Sequence, residues 1–468
     1  MAIPTSEYLS GLRSPVSEEI TIENLVVEGE IPQGLNGIYL CNSPNPRYEP
    51  SGRYHWFDGD GMLHGVQLSG GEATYRNRYV QTEGFKKETE TGSPLWKGIL
   101  EPIQFVEPDG PDKNTSNTDV VWHAGRLLAL WWLGGVPYEI NVPDLSTKGP
   151  LTWGDKLNCG VASHPKIDLN TGEMMFFDYS PYQEPYLSYG VVNKQGELEF
   201  TRSIDVPGPR LFHDIAITAN HTIFLDLPML WEKDALKHGK RRINFDKNLP
   251  SRYGIIPRHG GEVRWFEGPS CYVYHTINAY EVGDEIVMTG CRIDNPLPNC
   301  AHEDEPHIPR LYFLRLHPFL TRWRFNLKTG QMTEEKLDDV PTEFPRMNDY
   351  WVGRQSRYAY NPRIAKERTL LFDGLIKYDL ETGTSEIHEL ADQEFMDEAV
   401  FVPKPNSTDE DDGWLVSCVH DRRNNRNELR IFDAQNLTDK ALAKVIIPRH
   451  VPTGFHACWV PQEETHEI

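Results

Sequence analysis

The chain has 468 residues and a formal charge of 47 − 69 = −22. That length allows roughly two to four ordinary domains or one large repeat fold, and the charge excludes an electrostatic grip on nucleic acid and disfavours docking to anionic lipid. Hydrophobic content of 38% and aromatic content of 11% supply a core and argue against disorder.

No apolar run approaches the ~20 residues of a spanning helix, and residues 1–11 carry no basic stretch leading into an apolar one, so no secretory signal is read. Short β-rich runs recur instead, at 126–132, 174–178, 221–225, 285–289, 369–372 and 414–419, each bounded by turn residues. One unit keeps returning between them: an apolar residue, Asp or Asn, then a turn closed by Gly. It stands at 167–172, 192–196, 325–330 and 378–383, with weaker copies from Ile140 and Phe432. Asp and Asn bond their own backbone in turns and Gly supplies positive φ, so these are hairpin tips. Repeated tips predict an all-β propeller of stacked blades rather than unrelated sandwiches, although the irregular spacing leaves the blade number open. Without linker or low-complexity tract, residues 1–468 read as one continuous domain. The acidic stretch 407–412 reads as a solvated loop.

The seven cysteines, Cys41, Cys159, Cys271, Cys291, Cys300, Cys418 and Cys458, are scattered and lack a CxxC pair. A disulfide framework or thiolate zinc site is therefore not expected, and free thiols in the cytoplasm are.

Of seventeen histidines, His164, His213, His275 and His456 stand at the edges of β-like runs among apolar or aromatic neighbours. They are separated by 49, 62 and 181 residues, which no local metal motif spans. In a propeller, equivalent positions on different blades converge on the axis, so such residues can meet there. Four imidazoles suit iron, copper, zinc or nickel, and being neutral they would leave the balancing carboxylates to accept the outer ring N–H groups. Glu343 and Glu398, beside apolar stretches, are candidates for that role.

The segment Phe57-Asp-Gly-Asp-Gly-Met-Leu-His64, the block His275-Thr-Ile-Asn-Ala-Tyr-Glu281, Glu343-Phe-Pro345 followed by Arg357-Tyr-Ala-Tyr360, and Gly-Phe-His456 together resemble the carotenoid cleavage oxygenases. The resemblance runs from about residue 20 to the last ten. It implies a seven-bladed β-propeller with a helical and loop cap over its iron-bearing top face. It also implies Fe(II) held by His164, His213, His275 and His456, and dioxygen-dependent scission of a C=C bond to two carbonyl products. Thr118 matches a threonine near the open iron position, and Glu343 and Glu398 match carboxylates that support His275 and His456. A third glutamate is usual fourteen residues after Thr118, where this chain has Trp132. An indole N–H cannot accept a hydrogen bond, so His213 needs another acceptor: a backbone carbonyl, water, Asp214 or, less directly, Glu139.

Two substrate classes follow from the resemblance, carotenoids or apocarotenoids and phenolic alkenes such as stilbenoids and phenylpropenes. The blocks 320–323 and 456–459 are also similar to the second group, but its usual phenol-binding lysine is here Trp131. The adjacent Trp131 and Trp132 favour an apolar polyene. An apocarotenoid-binding or isomerase protein is a further alternative. Extraction of a polyene from lipid suggests peripheral membrane contact, through Met229, Leu230 and Trp231 beside Lys233 or through 309–316, against the simpler reading of buried cap residues.

Overall fold

The computed structural model describes residues 6–106, 110–297, 314 and 316–462. Seven antiparallel blades surround one axis. Their innermost strands are Asp119–His123, Lys166–Asp168, Ile215–Ile217, Tyr272–Val282, a short bridged segment at 342–346, Val400–Pro403 and Ala457–Pro461. The first blade shows the plan, running outward through Asp119–His123, Arg126–Leu130, Tyr138–Ile140 and Thr147–Pro150. Glu394–Met396 fuses the fifth and sixth blades into one nine-stranded sheet.

The ring closes with strands from both ends of the sequence. The seventh blade sets Ala457–Pro461 against Gly37–Pro44, followed by Gly61–Ser69, Glu72–Tyr79 and the short Thr21–Ile22. Val27–Gly29 caps the sixth blade beside Ala443–Ile447.

Burial follows position in the blade. Gly37–Pro44, sandwiched on both faces, is buried at every residue, whereas the outer Glu72–Tyr79 alternates. The core lies between blades: Ile38, Leu40 and Leu63 of the seventh meet Val120, Leu127 and Ala129 of the first.

The four recurrent turns are hairpin tips. Gly172, Gly196, Gly330 and Gly383 have φ of 74°, 74°, 77° and 71°, a region costly for any residue with a Cβ. Asp168, Asn193, Asn326 and Asp379 each accept from backbone N–H groups within their own turn. Two expectations need correction. The strand begins at Phe372, not at 369, because the preceding residues turn so that Ala365 N–H can reach Leu371 O (2.8 Å). The acidic stretch docks rather than floats: Asp411 pairs with Lys377 (2.7 Å), and Glu410 accepts the Tyr358 N–H (2.7 Å).

The cap over one end of the ring combines the Glu83–Thr91 helix, N-capped by Thr82, with an insertion in the third blade. There Met229–Trp231 pairs with Ile243–Phe245. Of the suggested lipid-facing residues, Met229 and Trp231 are buried, at 0% and 4% exposure, within the cap, and Leu230 between them is partly exposed. The other suggested lipid segment, 309–316, lies almost wholly outside the described residues, as does Cys300. No helix among the described residues is long and apolar enough to cross a membrane.

Candidate metal centre

Each blade delivers one candidate residue near the start of its innermost strand, in blade order Thr118, His164, His213, His275, Glu343, Glu398 and His456; His275 alone lies inside its strand, where the pairing of Tyr272–Val282 shifts register between Val273 and Thr276. Neighbouring blades are also tied together, His456 N–H to Thr118 O (3.3 Å) and, just past the end of Arg126–Leu130, Ser163 N–H to Trp131 O (3.1 Å). Convergence on the axis turns wide sequence separation into contact.

The four imidazoles meet. His164 lies 4.9 Å from His213, 4.9 Å from His275 and 4.4 Å from His456 between ring centroids. His213 Nε2 is 3.3 Å from His275 Nε2, and ligand nitrogens of His164, His213 and His275 fall within 4.8 Å of one another, an arrangement that could hold a metal ion. His164 adopts φ +68° and Phe344, beside Glu343, φ +55°. Left-handed backbone at such residues is strain that gathers at functional sites. Here the strain is secured by Asp119 Oδ2, which accepts His164 N–H (3.1 Å), and by Glu343 Oε2, which accepts Phe344 N–H (2.7 Å).

Carboxylates hold three of the rings from behind. His275 Nδ1 lies 2.6 Å from Glu343 Oε2, His456 Nδ1 3.1 Å from Glu398 Oε1, and His164 Nδ1 3.2 Å from Asp119 Oδ2. Sequence reading missed Asp119; its place directly after Thr118, at the start of an inner strand, was the available signal. His213 differs. Its Nδ1 is buried without a partner, and Trp132 Nε1 is likewise unpartnered. Asp214 is committed elsewhere, to Lys166 (2.7 Å) and to Thr276 (2.7 and 2.8 Å). Glu139 faces Lys148 (2.8 Å) on the outer part of the first blade. Neither substitutes for the missing glutamate.

Electrostatics fit a cation among these rings. Burial, then mutual repulsion, pushes His164, His213 and His275 well below the usual histidine range, so they are neutral donors. Burial opposes charge on His456 as well, but Glu398 lifts its pKa above normal. Burial raises Glu343 to about 8, a carboxyl that needs positive charge nearby to ionise at neutral pH. His164 Nε2 is buried with no hydrogen-bond partner, as a nitrogen kept for a metal would be.

The centre separates two unlike spaces. On the cap side lies an apolar cavity walled by Trp56, Phe57, Trp132, Phe344, Leu370 and Phe455, and Thr118 also lines it. Thr118 Oγ1 accepts Trp132 N–H (3.0 Å) and donates to Asn117 Oδ1 (2.9 Å), which fixes the wall. Trp132 stacks on Trp231 of the cap at 6.4 Å. On the other side an axial channel of about 1150 Å³ reaches His164, His275 and His456 past Lys166, Asp214 and Arg346.

The model of the family described as retinal pigment epithelial membrane protein matches residues 13–461. The chain belongs to this family, the carotenoid cleavage oxygenases. The carotenoid 9,10(9′,10′)-cleavage dioxygenase 1 of Pisum sativum is 34% identical over 98% of this chain and 91% of its own length. The lignostilbene dioxygenase of Pseudomonas brassicacearum superposes with a TM-score of 0.88 at 28% identity, covering 98% of this chain and 100% of that one. A cobalt-substituted Synechocystis apocarotenoid oxygenase gives 0.83 at 28% identity, over 96% and 97% of the two chains. The resemblance seen in the motifs thus extends over nearly the whole propeller.

Proposed function

We propose that this protein is a non-haem iron(II) dioxygenase that cleaves a C=C bond of a carotenoid or apocarotenoid with O2, giving two carbonyl fragments. The observation that carries the reading is the cluster of four imidazoles, His164, His213, His275 and His456, of which His213, His275 and His456 line a cavity whose remaining walls are mostly aromatic and aliphatic side chains. Iron(II) bound by these imidazoles would supply dioxygen binding. The chain's own residues do the rest. Glu343 and Glu398 hold the outer nitrogens of His275 and His456 and so fix the direction of their inner lone pairs. Phe57, Trp132, Phe344 and Phe455 bury the polyene and exclude water from the reacting bond. Thr118 lines the same cavity and fixes its wall through Trp132 N–H and Asn117 Oδ1. The six described cysteines are unpaired, which fits a reducing compartment.

A second reading, cleavage of a stilbenoid or phenylpropene, is favoured by the superposition on a lignostilbene dioxygenase. Trp131 and Trp132 weigh towards the polyene, since neither offers a charge to a phenolate. Anaerobic iron loading followed by incubation in air with apocarotenals, carotenes and hydroxystilbenes separates the two. Aldehydes from the polyenes alone support the proposal, and aldehydes from the stilbenes alone replace it with the second reading. Iron-loaded protein giving no product from any of them would instead mark a binding protein or an isomerase. His275→Ala should abolish both metal retention and cleavage; full iron and undiminished cleavage in that variant would overturn the ligand assignment.

A further inference from the structure

A second cluster of metal-competent donors lies behind the metal centre, where the sixth and seventh blades meet. Asp397, Cys418 and His420 place ligand atoms within 4.8 Å of one another, and all three are buried. Cys41 Sγ, from the Gly37–Pro44 strand, lies 3.8 Å from Asp397 Oδ2. His420 is fully buried and Asp397, Cys41 and Cys418 are 3–4% exposed. Gly454 makes room for the thiol: a Cβ there would stand 2.2 Å from Cys41 Sγ.

The hydrogen-bond pattern shows what the cluster lacks. Asn427 Nδ2 donates to Arg449 O (3.0 Å), which turns Asn427 Oδ1 towards His420 Nδ1 at 2.9 Å. That acceptor places the ring proton on Nδ1. His420 Nε2 then lies 3.1 Å from Asp397 Oδ2 without a hydrogen-bond partner. Nitrogen and carboxylate oxygen in such close contact need positive charge between them. A proton on His420 would supply that charge as an ion pair with Asp397, whose attraction outweighs burial and raises the His420 pKa, but it would leave the two neighbouring thiols without a role. A metal ion requires only that several donors point at a common centre.

We propose that Cys41, Asp397, Cys418 and His420 form a closed, structural site for zinc or a similar borderline-soft divalent ion. Zinc bond lengths predict tetrahedral edges of about 3.4 Å between nitrogen and oxygen and about 3.6 Å between sulfur and oxygen; the corresponding contacts here are 3.1 and 3.8 Å. Two thiolates and an imidazole select zinc over magnesium or calcium. Four protein donors leave no open position, so the role is to hold structure. Binding would displace the two thiol protons, and the buried Arg13, which acts electrostatically on Asp397, offsets part of the resulting negative charge. The ion would tie Asp397 and the Gly413–Asp421 strand of the sixth blade to Gly37–Pro44 of the seventh. It would also anchor the peptide that carries Glu398, the support of His456. The absence of a CxxC pair has a simple cause: the donors come from separate stretches on two blades.

Cobalt distinguishes this site from the four-histidine centre, because only a thiolate gives a sulfur-to-metal charge-transfer band in the near ultraviolet. Protein expressed in cobalt-supplemented minimal medium should carry two metal equivalents per chain and show that band. The band should survive His164→Ala, which empties the axial centre, lose about half its intensity or more in Cys418→Ser, and vanish when Cys41→Ser is added. The wild-type spectrum decides the matter even if Cys418→Ser fails to fold. Cobalt-loaded wild-type protein without the band, or a band unchanged by Cys418→Ser, would overturn the proposal. Failure here leaves the oxygenase reading untouched, since that reading is tested by product formation.

Discussion

At the scale of single residues, the centre is asymmetric. Three of the four rings of the candidate centre lie beside carboxylates and His213 does not. Losing an outer carboxylate costs about 10- to 100-fold in metal affinity. Trp132→Glu should therefore raise affinity by about that factor, read by competition with a chelator, whereas Trp132→Phe should leave it unchanged. An affinity indifferent to Trp132→Glu would mean that the indole position does not reach His213. Glu343→Gln should weaken metal retention by a similar factor of about 10 to 100, because a neutral amide polarises the His275 ring less. The four histidines stood out in the sequence as edges of β-like runs with apolar or aromatic neighbours, but only the family resemblance singled them out as a ligand set and marked Trp132 as standing where a glutamate is usual. Asp119 was not legible, since an aspartate beginning a strand is commonplace and only the packing of the first blade against the second puts His164 beside it. Nor could the sequence show that Asp214 was already taken by Lys166 and Thr276.

At the scale of the element, the blades depend on glycines lying beneath aromatic rings. Gly190 pairs across the ladder with Phe176, and a Cβ there would stand 2.3 Å from the ring. Gly190→Ala should cost about 1–3 kcal/mol by overpacking, measured as a lower unfolding midpoint, and Phe176→Leu in the same chain should recover part of it. Between the third and fourth blades, Glu281 accepts from Thr218 and Asn220 and lies 2.9 Å from His221 Nδ1. These partners pull its carboxyl down to about 2 against burial, which alone would raise it. A folded value below the unfolded one stabilises above the unfolded pKa and is lost as pH falls through the folded one. Allowing for partial exposure, Glu281→Gln should cost roughly 1–2 kcal/mol near neutral pH, and the gap from wild type should close as pH falls from about 4.5 to about 2. A gap independent of pH would assign the loss to packing. The hairpin tips were legible because an Asp or Asn with a following Gly is local chemistry. The cap strand Met229–Trp231 was not: an apolar run beside a lysine looks the same whether it faces lipid or the ring of Trp132.

At the scale of the molecule, metal, axis and closure are one problem. Every blade contributes a residue to the centre, so a ligand bound there acts on the whole ring. Adding iron(II) at about 100 times its Kd should stabilise the folded protein by about 2.7 kcal/mol and raise a single unfolding midpoint, reversed by chelator. Two separate transitions, only one of them sensitive to metal, would contradict a single cooperative body. The number of blades was not legible from the tips, because the insertion in the third blade and the sheet shared by the fifth and sixth break the period. Closure has a further consequence, in time rather than space. On the ribosome His164, His213 and His275 are synthesised well before His456, which follows His275 by 181 residues and enters with the innermost strand of the last blade. A nascent chain can therefore display three imidazoles but not four. On the proposed four-histidine site, secure capture of a metal would await the zipping of Ala457–Pro461 onto Gly37–Pro44, and maturation would be a late and all-or-none event in the life of each copy.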